Sequence, residues 1–118
     1  MDDTKVKLSE DFGVDIMGLS EYLEKNKVHP AVITQILKSG TSIGANICES
    51  LYAESQSDFI HKLKISQKEA SETRFWLKIL YRSNKIEEFY FKDLYEKCNV
   101  LLKVISAIIK STQNRIPS

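Results

Sequence analysis

Residues 35–49, QILKSGTSIGANICE, and residues 58–77, DFIHKLKISQKEASETRFWL, show the spacing from which the rest of this chain can be read. The first stretch has the apolar spacing of an amphipathic helix but is punctured by Gly40 and Gly44. A glycine inside a helix costs about 1 kcal/mol relative to alanine, so a pair one turn apart implies a gain from close backbone approach. Steps of four and three place Ile33, Leu37, Gly40, Gly44, Ile47 and Leu51 on one inward seam. In the second stretch Phe59, Leu63, Ser66, Ala70, Thr73, Leu77 and Leu80 keep the same alternation for about three heptads. The middle of that seam is small. Ser66, Ala70 and Thr73 are therefore expected across from Gly40 and Gly44, drawing the second and third helices close along their centres.

Working outward, Phe12, Ile16, Leu19 and Leu23 form one stripe of a first helix over residues 9–25. Residues 26–29 make a joint, and Pro30 suits the first turn of a second helix over 30–53, where its missing N–H has no intrahelical partner to lose. Ser55, followed three residues later by Asp58, has the spacing of an N-terminal cap for a third helix over 56–83. Ser83-Asn84 ends it, asparagine being the usual substitute for glycine in a left-handed turn. A fourth helix over 87–113 presents Phe91, Leu94, Cys98, Leu101, Ile105 and Ile108, with Leu102 and Ile109 widening the stripe. Four amphipathic helices with short joints pack most economically as an all-α, antiparallel up-down-up-down bundle. A single domain is expected over residues 1–118.

Composition is that of an ordinary globular chain, with 42% hydrophobic and 28% charged residues. Apolar runs such as 100–102 are cut short by Lys103, far below the roughly 20 residues of a membrane span. The opening MDDTKVKLSED is charged and lacks the apolar core of a signal peptide, which points to a cytoplasmic location without membrane partners. Cys48 and Cys98 fall in helical apolar patterns and are expected to be small buried thiols. The formal net charge of +1 conceals an asymmetry. Up to Ser57 five Lys face nine Asp or Glu, a balance of −4, whereas from Asp58 twelve Lys or Arg face seven acids, a balance of +5.

Catalytic chemistry finds little support. Asp58 and His61 place a carboxylate and an imidazole three residues apart, but a ferritin-like di-metal site requires a Glu-x-x-His on each of two helices plus a Glu on each of two others, and of the only two histidines, His29 and His61, the first falls in a joint. His61 also falls opposite its seam, as a surface histidine would. No glycine-rich phosphate loop, zinc spacing or activated nucleophile is evident. The outward stripe of the third helix is more informative: His61, Lys64, Lys68, Phe75, Lys78 and Arg82 share it, joined by Arg74 if its side chain reaches that face. Basic residues one or two turns apart with an aromatic among them suit a phosphate backbone and a stacked base. The plainer alternative is a solvated face balanced by Glu69 and Glu72. Outward Ile65 and Ile79, with Phe75 and Trp76, suggest burial by another chain. Asn46 and Glu49 are either surface residues or the polar part of the same contact.

SGTSIGANICES, residues 39–50, and DFIHKLKISQKEASETRFWLKIL, residues 58–80, resemble the two signature segments of the four-helix bundle family also called the 23S rRNA intervening-sequence protein family. The likeness spans nearly the whole chain. Cys48 stands where Ala or Glu is common, and Asn84 where Gly is common. The resemblance implies a ring-forming bundle, typically a homopentamer, encoded within bacterial large-subunit rRNA genes or as a free-standing gene, with no cofactor, catalytic residues or known enzymatic activity. A related branch, the accessory variability proteins of diversity-generating retroelements, forms a basic pentameric barrel that binds nucleic acid and a reverse transcriptase. The expectation is a non-enzymatic homo-oligomer that binds RNA or DNA through Lys64, Lys68, Arg74, Lys78 and Arg82, or serves as an adaptor to a reverse transcriptase or other protein. Ile65, Phe75 and Ile79 are its expected oligomer contacts. The alternative is a structural or protein-interaction module without nucleic-acid binding.

Overall fold

The computed structural model describes residues 4–115, and among them the chain forms α1 (Thr4–Lys25), α2 (Pro30–Ser50), α3 (Gln56–Arg82) and α4 (Glu88–Arg115), with no strand. Met1–Asp3 and Ile116–Ser118, part of the domain expected over 1–118, lie outside the described residues. Short joints force successive helices to run back along one another. α1 packs on α2, α2 on α3 and α3 on α4, while α4 closes on α1 more loosely, giving an up-down-up-down four-helix bundle of 51 × 23 × 21 Å.

The apolar ladders meet in one core. Phe12, Ile16, Leu19 and Leu23 of α1, Ile36, Ile43 and Ile47 of α2, Leu63, Leu77 and Leu80 of α3, and Leu94, Leu101 and Ile105 of α4 are all buried. Burial of each such side chain contributes about 1.5–3 kcal/mol. α1 starts at Thr4 rather than residue 9, because Val6 and Leu8 carry the apolar spacing back to the core edge. α2 stops at Ser50 rather than 53, and α4 extends to Arg115, where Thr112 is still buried.

Both left-handed joints close by the same device. Lys27 has φ 58° and Asn84 has φ 60°. At the end of α1 the Val28 N–H donates to the Leu23 carbonyl and the Lys27 N–H to the Glu24 carbonyl. After α3 the Lys85 N–H donates to Leu80 and the Asn84 N–H to Tyr81 in the same pattern. These paired bonds satisfy carbonyls that a helix end otherwise leaves open. α3 begins where Ser55 Oγ accepts from the Asp58 N–H at 3.0 Å, while Asp58 Oδ2 accepts from the Glu54 N–H at 3.2 Å.

The glycine seam requires a correction. A Cβ at Gly40 would lie 2.7 Å from Cγ1 and 2.9 Å from Cγ2 of Ile16, and one at Gly44 would lie 3.0 Å from Ser9 Oγ. Both glycines therefore admit α1, not α3. The α2 residues that meet α3 are one position back, about 100° around the helix. Ser66 Oγ donates to the Ile43 carbonyl at 2.7 Å, and Thr73 Oγ1 is hydrogen-bonded to Ser39 Oγ at 3.0 Å. A central helix shows different edges to its two neighbours. The single seam drawn through Ile33, Leu37 and Leu51 followed the α1 edge outward: Leu51 is exposed and Ile33 and Leu37 only half-buried, whereas Ser39, Ile43 and Ser50 are buried. On α3 and α4, Phe59, Phe91 and Ile108 sit at the core margin rather than inside it. Ala70 is buried, and its carbonyl accepts from Cys98 Sγ at 3.3 Å. Cys48 is exposed, contrary to its expected burial, for it lies beyond the α1 edge of α2.

Candidate nucleic-acid interface

Lys64, Lys68, Lys78 and Arg82 are all exposed along α3. Helical spacing puts them on the side opposite Leu63, Ala70 and Leu77, so core packing itself turns them outward. Some cations elsewhere in the bundle are held by acids, Lys62 by Glu49 of α2 at 3.2 Å and Lys97 by Asp15 at 3.0 Å and Asp93 at 3.2 Å. Asp15 and then Asp93 hold the Lys97 ammonium above its ordinary pKa through their hydrogen bonds. Among the described residues, by contrast, none of the four α3 cations has a carboxylate within ion-pair distance. The nearby acid Glu69 is raised above the usual carboxylate range by burial and then by Glu72, against the pull of Lys68 and Lys38.

Arg74 takes a different direction. It is half-buried toward α4, where its Nη1 donates to Asn99 Oδ1 at 3.1 Å. Its guanidinium carbon lies 6.0 Å from the centre of the Tyr95 ring, and Lys78 Nζ lies 5.5 Å from the same centre. Arg74 Nε is buried without a hydrogen-bond partner. Ser71, Arg74, Phe75, Lys78 and Tyr95 thus line a notch of about 400 Å³ between α3 and α4. Tyr95 and Asn99 escaped the reading of the chain. Their only trace in sequence is a polar pair one turn apart beside the Leu94 and Cys98 ladder, which does not reveal the helix they face.

Of the expected contact residues, Phe75 is 54% and Ile79 40% exposed, and Ile65 is half-buried. The Phe75 ring meets Trp76 edge-on, with centroids 5.2 Å apart and planes at 76°. Asn46 donates to the Ser42 carbonyl of its own helix, and Glu49 serves the cross-link to Lys62. A second exposed apolar region lies on the other side of the bundle. Leu8, Phe12, Val14, Val100 and Leu101 line a groove of about 490 Å³ between α1 and α4, bordered by Lys97 and Asp15. His61 is exposed, His29 precedes α2, and no three His, Cys, Asp or Glu among the described residues are grouped to hold a metal. No described helix is long and apolar enough to cross a membrane.

No functionally curated protein matches the chain. A crystal structure of a protein with unknown function from the S23 ribosomal protein family, from Bacteroides thetaiotaomicron, is similar at a TM-score of 0.88 and 39% sequence identity, covering 90% of this chain and 98% of that one. The family model described as 23S rRNA-intervening sequence protein matches residues 2–107, across all four helices and both signature segments. By this match, which takes in nearly the whole bundle, the chain belongs to the 23S rRNA-intervening sequence protein family.

Proposed function

We propose that this protein is a non-enzymatic, ring-forming nucleic-acid-binding or adaptor protein whose binding face is the outer side of α3. One observation carries the reading: Lys64, Lys68, Lys78 and Arg82 are exposed together along one helix, and none of them has a carboxylate within ion-pair distance among the described residues. Unpaired cations along a helix suit a phosphate backbone, and displacement of condensed counterions supplies the driving force. A ring would repeat the stripe once per subunit. Linked weak sites raise the effective concentration for each later contact, so measurable affinity does not require a strong single site. Ile65 and Ile79 serve the contact between subunits in this reading, with Phe75 at its margin. A reverse transcriptase or another protein is the partner if the assembly acts as an adaptor.

The rival is a protein-interaction module, favoured by the apolar groove of Val14 and Val100 between α1 and α4. A salt titration with fluorescent RNA and matching DNA separates the two. Binding at low ionic strength should weaken with a log–log slope of roughly −0.7 to −0.9 per phosphate contact. It should be lost in the K64A/K68A/K78A/R82A protein. Absence of binding at low salt, or binding untouched by the four substitutions, leaves the interaction module in front.

A further inference from the structure

Two cations share one aromatic ring in the notch between α3 and α4, and among the described residues neither has a carboxylate within ion-pair distance. Arg74 and Lys78 both stand within about 6 Å of the Tyr95 ring centre. Their mutual repulsion is met by the ring quadrupole and by the neutral amide oxygen of Asn99, and Arg74 Nε remains without an acceptor. The site is electrostatically incomplete, and a single phosphate group would complete it. Directly beside it is a large exposed ring. Phe75 lines the same notch and is 54% exposed, with Trp76 fixed against it edge-on. Cation and aromatic are thus placed side by side at the scale of one nucleotide.

We propose that the notch of Ser71, Arg74, Phe75, Lys78 and Tyr95 is a nucleotide subsite for single-stranded nucleic acid, with a backbone phosphate between Arg74 and Lys78 and an unpaired base stacked on Phe75. The proposal rests on the nucleic-acid reading above and adds a strand preference to it. A duplex keeps its bases stacked inside and offers Phe75 only sugar and phosphate, whereas a single strand brings a free base face to it. The exposed lysines of α3, Lys64 and Lys68, would bind either form.

The test compares three probes of equal length: a labelled oligothymidylate, the corresponding abasic oligomer, and a duplex. Binding is measured by anisotropy and by quenching of Trp76, the only tryptophan of the chain. The oligothymidylate should bind about tenfold more tightly than the abasic strand, the scale of one stacked base, and should quench Trp76 where the abasic strand does not. F75L should remove that advantage and leave duplex binding and helicity unchanged. R74Q should weaken both single-stranded probes alike. Equal binding of thymidylate and abasic strands, with salt dependence intact, would overturn the subsite while the general reading stands. No binding to any probe would overturn both. A F75L protein that loses its assembly along with its binding would assign Phe75 to the subunit contact and also overturn the proposal.

Discussion

At Gly40 the missing side chain is what lets α1 lie against α2. Both γ carbons of Ile16 approach within 3 Å of where a Cβ would stand, and a β-branched side chain has little rotamer freedom with which to yield. Gly40→Ala should therefore lose about 1–3 kcal/mol to overpacking, partly offset by the better helix propensity of alanine. Gly44 faces Ser9, whose Oγ would lie 3.0 Å and whose backbone carbonyl oxygen 3.4 Å from an added Cβ, and should tolerate alanine better. A double-mutant cycle in urea between Gly40→Ala and Ile16→Ala checks the assignment: the pair should be less destabilising than the sum, and strict additivity would mean that Ile16 is not the partner. The two cysteines give a second residue-level test. Burial pushes the Cys98 thiol up to about 12 from an ordinary 9.0. One cysteine, the exposed Cys48, should react with a thiol reagent in the native protein, and the second only on unfolding. Because the folded pKa is the higher one, the contribution of Cys98 to stability is fully present below pH 9.0 and is lost as pH rises toward 12. Cys98→Ala should flatten that alkaline decline in a series of melting temperatures.

Helix ends and helix contacts carry energies of similar size at the element scale. Ser55 supplies the cap of α3, and Ser55→Ala should cost about 1 kcal/mol, read as a lower urea midpoint with an unchanged slope. Lys27 pays for its left-handed φ with steric strain that glycine would not have. Lys27→Gly should accordingly stabilise the bundle by up to about 1 kcal/mol, provided the Val28 to Leu23 bond survives. The cap and the asparagine turn were legible in the chain because both depend on the chemistry of adjacent residues. Lys27 was not, since a lysine has no propensity for that conformation and adopts it only because Val28 is drawn into the core at 7% exposure. The α2 seam shows the same limit. Periodicity identifies an apolar stripe, but α2 has two neighbours, and residues 100° apart, Gly40 and Ser39, serve different ones.

For the whole molecule, the exposed apolar residues of the elongated bundle include Ile79 with Phe75 on α3 and Val14 with Val100 across α1 and α4, and each of these regions invites company. If the proposed ring forms through α3, light scattering at micromolar concentration should report a mass several times that of one chain. Ile79→Asp should lower that mass, whereas Val14→Asp should not. The reverse result would move the subunit contact to the α1–α4 groove. The four helices and the bundle were determined by sequence alone, because apolar steps of four and three, Pro30, Ser55 and Asn84 are local signals that survive without knowledge of neighbours, and the family was legible in the wording of residues 39–50 and 58–80. The outward direction of Lys64, Lys68 and Arg82 followed from the same periodicity, since it needs only the position of their own helix core. Tertiary structure alone decided that the glycines admit α1, that Arg74 leaves the basic stripe for Asn99, and that Tyr95 gathers two cations over one ring. Each of these depends on the rotation of one helix about its axis relative to the next, and that angle is set by the simultaneous packing of all four stripes, which no single stretch of the chain encodes.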